Sequence, residues 1–280
     1  MKFYDLKGHS GCKIYLCETD DNNVFVRKVS GSFTYNDRLK IQADKQANFQ
    51  NAEIKAPKVL DSGFTDDGMF YFDMEYIRGI TLAEYMKSIE IGKVRGVVNT
   101  LVKNILYNDD SASSEPKMFT DKISSLEKQL EVHNNVVTDK AIKLLRTHDW
   151  SSFCKSPCHG DLTLENIIVK DDQLYFIDFL DSFYDCWLMD FSTLLQDSQV
   201  LWSYRSYDEI DINTLIRLAV FRDILMDTVR SAKPQAYIEI YYALLLKLIR
   251  IYPYTKDERT YSFLNEKTMD ILNIIMKEEG

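Results

Sequence analysis

The stretch CHGDLTLENIIVKDDQLYFIDF, Cys158 to Phe179, gathers a histidine, an asparagine and several acids around two β-prone runs. NIIVK and QLYFID are rich in β-branched and aromatic residues, and Asp171–Asp172 between them reads as a two-residue hairpin turn. The absence of glycine leaves the turn type open. If Lys170 opposes Gln173, counting outward from the turn sets Asn166 opposite Ile177 and beside Asp178. Asp161 lies five residues before Asn166, so three oxygen-bearing side chains are expected at the open end of one hairpin. Carboxylates held together raise each other's pKa unless a cation or hydrogen-bond donors compensate them. Hard oxygen donors of this kind suit Mg²⁺ with substrate phosphates completing its shell.

The rest of the chain narrows the function class. A net charge of −9 across 280 residues, without a dense Lys/Arg run, argues against nucleic-acid binding that depends on phosphate neutralisation. The start MKFYDLKGHSGCKIYLCE has no apolar core of signal-peptide length, and no later run reaches eighteen apolar residues. A cytoplasmic protein without membrane contact is expected. Five cysteines without CxxC units (Cys12, Cys17, Cys154, Cys158, Cys186) fit reduced thiols better than disulfides or a zinc site.

Upstream, CKIYLCE and NVFVRKV read as strands joined by a polar turn. A helix follows over YNDRLKIQADKQANFQ, with Asn36 or Asp37 as its cap, and then short strands punctuated by Pro57, Gly63 and Gly68. From Gly79 the pattern turns helical. Thr81 and Glu84 form a capping pair, Tyr107 to Met118 reads as a polar loop, and leucines at spacings of three and four mark later helices. The expected class is α+β, with a small β-rich lobe over 1–78 and a larger, mainly helical lobe over 79–280 that contains the hairpin.

HGDLTLEN with the downstream FIDF resembles the aminoglycoside phosphotransferase and choline kinase superfamily, whose signature is H-G-D-x-x-x-x-N. The resemblance implies a two-lobed protein-kinase-like fold and an enzyme that moves the γ-phosphate of ATP to a hydroxyl of a small polar metabolite. Under it, Asp161 is the catalytic base, Asn166 and Asp178 hold Mg²⁺, and His159 and Asp190 are structural supports. Ser10 and Gly11 would lie over the ATP phosphates. Arg27 takes the position of the family's phosphate-binding lysine, with Lys28 as the alternative one residue on. Gln42 stands where the family has the glutamate that pairs with that cation. Met74 would border the purine, and the backbones of Glu75 and Ile77 would bond the adenine edge. Asp181 is read as a loop capper, and the Tyr-rich Ser203 to Ile210 either as part of an acceptor pocket or as a helix start.

The partners implied are ATP, with GTP left open, and a small acceptor such as an amino alcohol, a sugar or an aminoglycoside; an acidic pocket would favour a cation. The oligomeric state is left open. A protein kinase is disfavoured because only eleven residues separate Asp178 from Asp190, too few for an activation segment. The departures at Arg27 and Gln42 motivate a third reading, a nucleotide-binding scaffold without activity.

Overall fold

A computed structural model of the chain describes every residue except 7–10, 107–112 and 133–134. Ser10, expected over the nucleotide phosphates, therefore lies outside the described residues.

Alternation of apolar and polar residues builds an antiparallel sheet from the N-terminal segment. Strand β1 (Lys2–Leu6) pairs with β2 (Cys12–Glu18), and β2 with β3 (Val24–Ser30), in register from Cys12↔Ser30 to Glu18↔Val24. Helix α1 (Asn36–Ala47) leads to β4 (Ile54–Lys55), β5 (Val59–Phe64) and β6 (Phe70–Glu75). The sheet order is β1-β2-β3-β6-β5. Leu39 and Ala43, one helical turn apart on α1, bury against Phe70, Phe72 and Met74 of β6. Asn36 is the first residue of α1 rather than the cap before it. Its side chain donates to the Gly68 carbonyl (3.0 Å) and accepts from the Phe70 amide (2.9 Å), so its hydrogen bonds tie the helix start to the β5–β6 turn.

A second sheet takes strands from distant parts of the sequence. β7 (Ile80–Thr81) runs into the single turn α2 (Leu82–Tyr85), and the hairpin is β8 (Ile167–Lys170) with β9 (Gln173–Phe176). The order is β4-β9-β8-β7, with β4 parallel to β9. Lys170 opposes Gln173 and Ile167 opposes Phe176. Asp171 (φ 50°) and Asp172 (φ 58°) are both left-handed, which makes the turn type I′, with aspartate tolerating the conformation glycine usually takes. Ile167, Val169, Leu174 and Phe176 point inward.

The chain divides into two compact units, 1–85 with 165–181, and 86–164 with 182–280. The boundary expected from the sequence is residue 78, with the hairpin in the C-terminal lobe; this division groups the hairpin with residues 1–85. The hairpin is flanked by β4 and β7, both N-terminal, so its backbone hydrogen bonds join it to the first unit.

The second unit is helical: α3 (Ile91–Ile105), α4 (Pro116–Gln129), α5 (Val136–Thr147), α6 (Trp187–Ser198), α7 (Ile212–Ala232), α8 (Ala236–Ile251) and α9 (Glu258–Glu279). The loop expected to run to Met118 gives way to helix at Pro116, where a missing amide costs nothing. Asn135, Asp211 and Asp257 cap α5, α7 and α9. Phe119 of α4 stacks on Trp150 at 4.5 Å, and every residue of α6 is buried. Among the described residues no helix is long and apolar enough to cross a membrane.

Gly79 lies against β8 so closely that a Cβ would stand 2.5 Å from the Val169 carbonyl oxygen. Gly79→Ala should therefore push β7 off the hairpin and cost about 1–3 kcal/mol, read as a lower urea midpoint in the full chain.

Candidate active site

In the second unit, α6 sets its first-turn Asp190, only 3% exposed, under the segment Cys158–Asp161. The Asp190 carboxylate accepts from the His159 amide (2.7 Å), the Gly160 amide (2.9 Å) and the Cys158 thiol (3.3 Å). Three donors and the positive end of α6 offset the burial of its charge. Gly160 sits at φ 95°, a conformation that excludes a side chain, which explains glycine where protein kinases carry arginine. The Asp161 amide donates to His159 Nδ1 (3.3 Å), and His159 is buried. The accepting Nδ1 puts the proton of the neutral ring on Nε2.

A second buried acid was missed in the sequence. Asp197, two turns after Asp190 on α6 and fully buried, accepts from the Leu164 amide (2.6 Å) and from the Ser203 amide (3.0 Å) and hydroxyl (2.7 Å). Its signal was there: two aspartates seven apart on one helix share one face. Ser203 is thereby committed to holding α6, and Tyr204 beside it is buried.

In the first unit, the Ile177 amide donates to the Asn166 carbonyl (3.0 Å), which extends the hairpin ladder by one pair and sets Asn166 next to Asp178. Asp178 itself has φ 61°, a left-handed backbone that is strained for a residue other than glycine. Its carboxylate forms an ion pair with Lys28, whose side chain is 2% exposed. Lys28 Nζ also reaches Gln42 Oε1 (3.4 Å) on α1.

Strand alternation sends Arg27 to the opposite face. There it grips Asp73 through two 2.7 Å hydrogen bonds and lies over the Tyr71 ring at 4.2 Å. The expectation that Arg27 faces Gln42 is thus corrected: the inward cation is Lys28.

The role of Gln42 also becomes legible. Its amide nitrogen donates to Asp181 Oδ1 (3.2 Å) and to the Tyr35 hydroxyl (3.1 Å), while its oxygen takes Lys28. Arg38 completes the set with two hydrogen bonds to Asp181, at 2.7 and 3.2 Å. Burial alone would raise the Asp181 carboxyl, but the hydrogen bonds from Arg38 and Gln42, together with the charge of Arg38, hold it below the usual aspartate value. A glutamate at 42 would face that carboxylate. The neutral amide can bridge a cation and an anion, which a carboxylate cannot.

The remaining expected nucleotide contacts are dispersed over the first unit. Gly11 is exposed, and its carbonyl accepts from the Gly31 amide (2.8 Å). Met74 is buried and its sulfur accepts from Gln46 (3.4 Å). The Glu75 amide is committed to the Lys58 carbonyl (2.9 Å), and Ile77 is buried.

An amide oxygen and a carboxylate on adjacent positions of one hairpin end are hard donors that fit a divalent cation. Among the described residues there is no cluster of three or more His, Cys, Asp or Glu side chains suited to a metal, so Asn166 and Asp178 would need water or substrate oxygens to complete a shell.

Residues 121–219 match the phosphotransferase enzyme family, a span that includes Asp161, Asn166, Asp178 and Asp190. The chain aligns along nearly its whole length with solved small-molecule kinases. Aminoglycoside phosphotransferase APH(4)-Ia is 14% identical with a TM-score of 0.64, over 97% of this chain and 93% of that one. The fold is that of these kinases. Amicoumacin kinase hAmiN, in complex with AMP-PNP, Ca²⁺ and Ami, is 17% identical with a TM-score of 0.61, over 97% and 88% of the two chains. A choline kinase from Cryptosporidium parvum Iowa II is 11% identical with a TM-score of 0.58, over 99% and 89%. No curated protein matches the chain. At these identities the likeness to solved structures is one of fold, and it agrees with the protein-kinase-like α+β architecture read from the sequence.

Two outcomes follow from the Gln42–Asp181 bridge. Gln42→Glu sets two carboxylates together; a one-unit rise in the pKa of either costs about 1.4 kcal/mol, roughly 2–4 °C in melting temperature at pH 7, and Asp181→Asn should restore it. Because the folded-state pKa of Asp181 is depressed, its contribution is complete above about pH 4 and is lost as pH falls through the folded value. Asp181→Asn should accordingly flatten the acid side of a melting-temperature profile.

Proposed function

We propose that the protein is an ATP- and Mg²⁺-dependent phosphotransferase that moves the γ-phosphate of ATP to a hydroxyl of a small polar metabolite. The observation that carries this reading is the segment Cys158–Asp161 fastened through two backbone amides to the buried Asp190, which leaves the Asp161 side chain partly exposed at its end. The match to a phosphotransferase family over that segment supports it, as do relatives of the same fold crystallised with AMP-PNP beside hygromycin B or Ami.

In this reading Asp161 orients the acceptor hydroxyl and takes its proton. The hydroxyl oxygen bonds to the γ-phosphorus while the bond to the β–γ bridging oxygen breaks, and that electron pair leaves on ADP. Asn166 and Asp178 hold Mg²⁺, which when bound neutralises charge on the β- and γ-phosphates. Lys28 supplies the cation for the α- and β-phosphates. Its approach to Gln42 weakens the case for a scaffold without activity, since that reading rested on both Arg27 and Gln42 in place of a Lys–Glu pair and the lysine is present.

The test is ADP release with Mg²⁺ and ATP over a panel of acceptors. Asp161→Asn should lower kcat by about 10²–10⁴-fold while leaving the KM for ATP within about twofold. Lys28→Met should raise the KM for ATP, and Arg27→Met should not. Undiminished turnover in Asp161→Asn would sink the assignment of the base.

A further inference from the structure

Helix α8 is apolar around almost its whole circumference, yet the run LLLKLI carries Lys247, only 7% exposed. Lys247 forms no hydrogen bond or ion pair with any of the described residues. Arg250, three positions on, is half-buried with its guanidinium 5.3 Å from the Phe183 ring, and it too has no ion pair among the described residues. Phe183 packs edge-on against Phe119 of α4 at 5.4 Å, and α4 brings a third partly buried cation, Lys122, which feels the charge of Arg250.

Among the described residues, the acids that act on this group are Asp161 and Asp190. Asp161 acts on both Lys247 and Arg250, while Asp190 acts on Lys247 alone. The Asp190 oxygens are already taken by two amides and a thiol. Cys158, near Lys247, and Tyr254, near Arg250, are the other titratable neighbours. Burial disfavours the charge on all three cations, most strongly against Asp161's partial compensation at Lys247 and Arg250. A buried cation without a partner is costly, and it persists where an anion completes the site.

We infer that the acceptor phosphorylated at Asp161 is itself an anion, a hydroxyl compound bearing a carboxylate or a phosphate that Lys247 and Arg250 hold, with Lys122 adding long-range attraction. This rests on the phosphotransferase reading above and deepens it. A cationic acceptor of the aminoglycoside or choline type would meet repulsion here, which reverses the expectation drawn from overall charge. In the proposed mechanism Lys28, not these cations, takes the nucleotide phosphates.

Two experiments test the inference separately from the phosphotransferase reading. Inorganic phosphate and malonate, titrated calorimetrically into the full chain without nucleotide, should bind wild type and Arg27→Met alike. Lys247→Met and Arg250→Met should weaken that binding at least tenfold. Lys247→Met removes a buried charge and should also raise the melting temperature, which separates lost binding from lost folding. Neither anion binding to wild type, binding indifferent to both substitutions, or a lower melting temperature in Lys247→Met would overturn the assignment.

In turnover assays, hydroxy acids or sugar phosphates should be preferred over amino alcohols, neutral sugars and aminoglycosides. Lys247→Met should raise the acceptor KM at least tenfold with little change in the KM for ATP. Asp161-dependent turnover that favours cationic acceptors would overturn the anionic acceptor while upholding the phosphotransferase. Turnover independent of Asp161 would overturn that broader reading instead.

Discussion

One buried carboxylate organises the loop that carries Asp161 in the second unit. Asp190 sits where the first turn of α6 favours negative charge, and it accepts the consecutive amides of His159 and Gly160. Consecutive amides can converge on one carboxylate only if the backbone turns sharply between them, and Gly160 at φ 95° is that turn. Asp161 emerges immediately after it with its own amide committed to His159. Two turns later on the same face of α6, Asp197 accepts the Leu164 amide. The charged end of the segment is therefore positioned by backbone hydrogen bonds, which shift less than side-chain contacts, and by a helix with no exposed residue.

The first unit solves a charge-balance problem with different means. Lys28 is almost fully buried and pairs with Asp178, a residue held in a strained conformation at the end of the hairpin. Asp181, three residues on, already has Arg38. Between these two pairs a second carboxylate on α1 would be in excess, and Gln42 bridges them by offering its oxygen to the lysine and its nitrogen to the aspartate. What looks in the sequence like a weakened ion pair is a redistributed one. The strained Asp178 backbone, moreover, is the kind of local cost that persists where a side chain must be aimed at a ligand.

Net charge proves a poor guide to local chemistry here. The chain carries −9 overall, yet the partly or fully buried Lys247 and Arg250 of α8 are neighbours of Asp161. Exposed acids are screened within about 8–10 Å at physiological ionic strength, whereas buried groups act on one another through a medium that screens far less. For an anion bound as proposed above, Lys247 and Arg250 would therefore count for more than the surface excess of acids.

Much of this was legible from local pattern. The spacing of His159, Asp161 and Asn166 survives folding because it spans one loop, and the Lys170–Gln173 register follows from a two-residue turn with fixed pairing. The strands and helices could likewise be read from periodicity, because burial of one face imposes it. Contacts between residues far apart in sequence were not legible. Whether Arg27 or Lys28 faces inward depended on the phase of β3 against α1, a choice of one residue that inverts every side chain. The hairpin's membership in the first unit depended on β4 and β7 taking its free edges, and nothing in NIIVK or QLYFID names those partners. The lysine in LLLKLI reads as an interruption of an apolar helix until α4 and the Asp161 loop fold against it. Sequence alone determined the order of the chemical groups along the chain and the local turns that present them. Tertiary structure decided which charges meet, because electrostatic pairing depends on distance in space, and folding sets that distance between residues as far apart as Asp161 and Lys247.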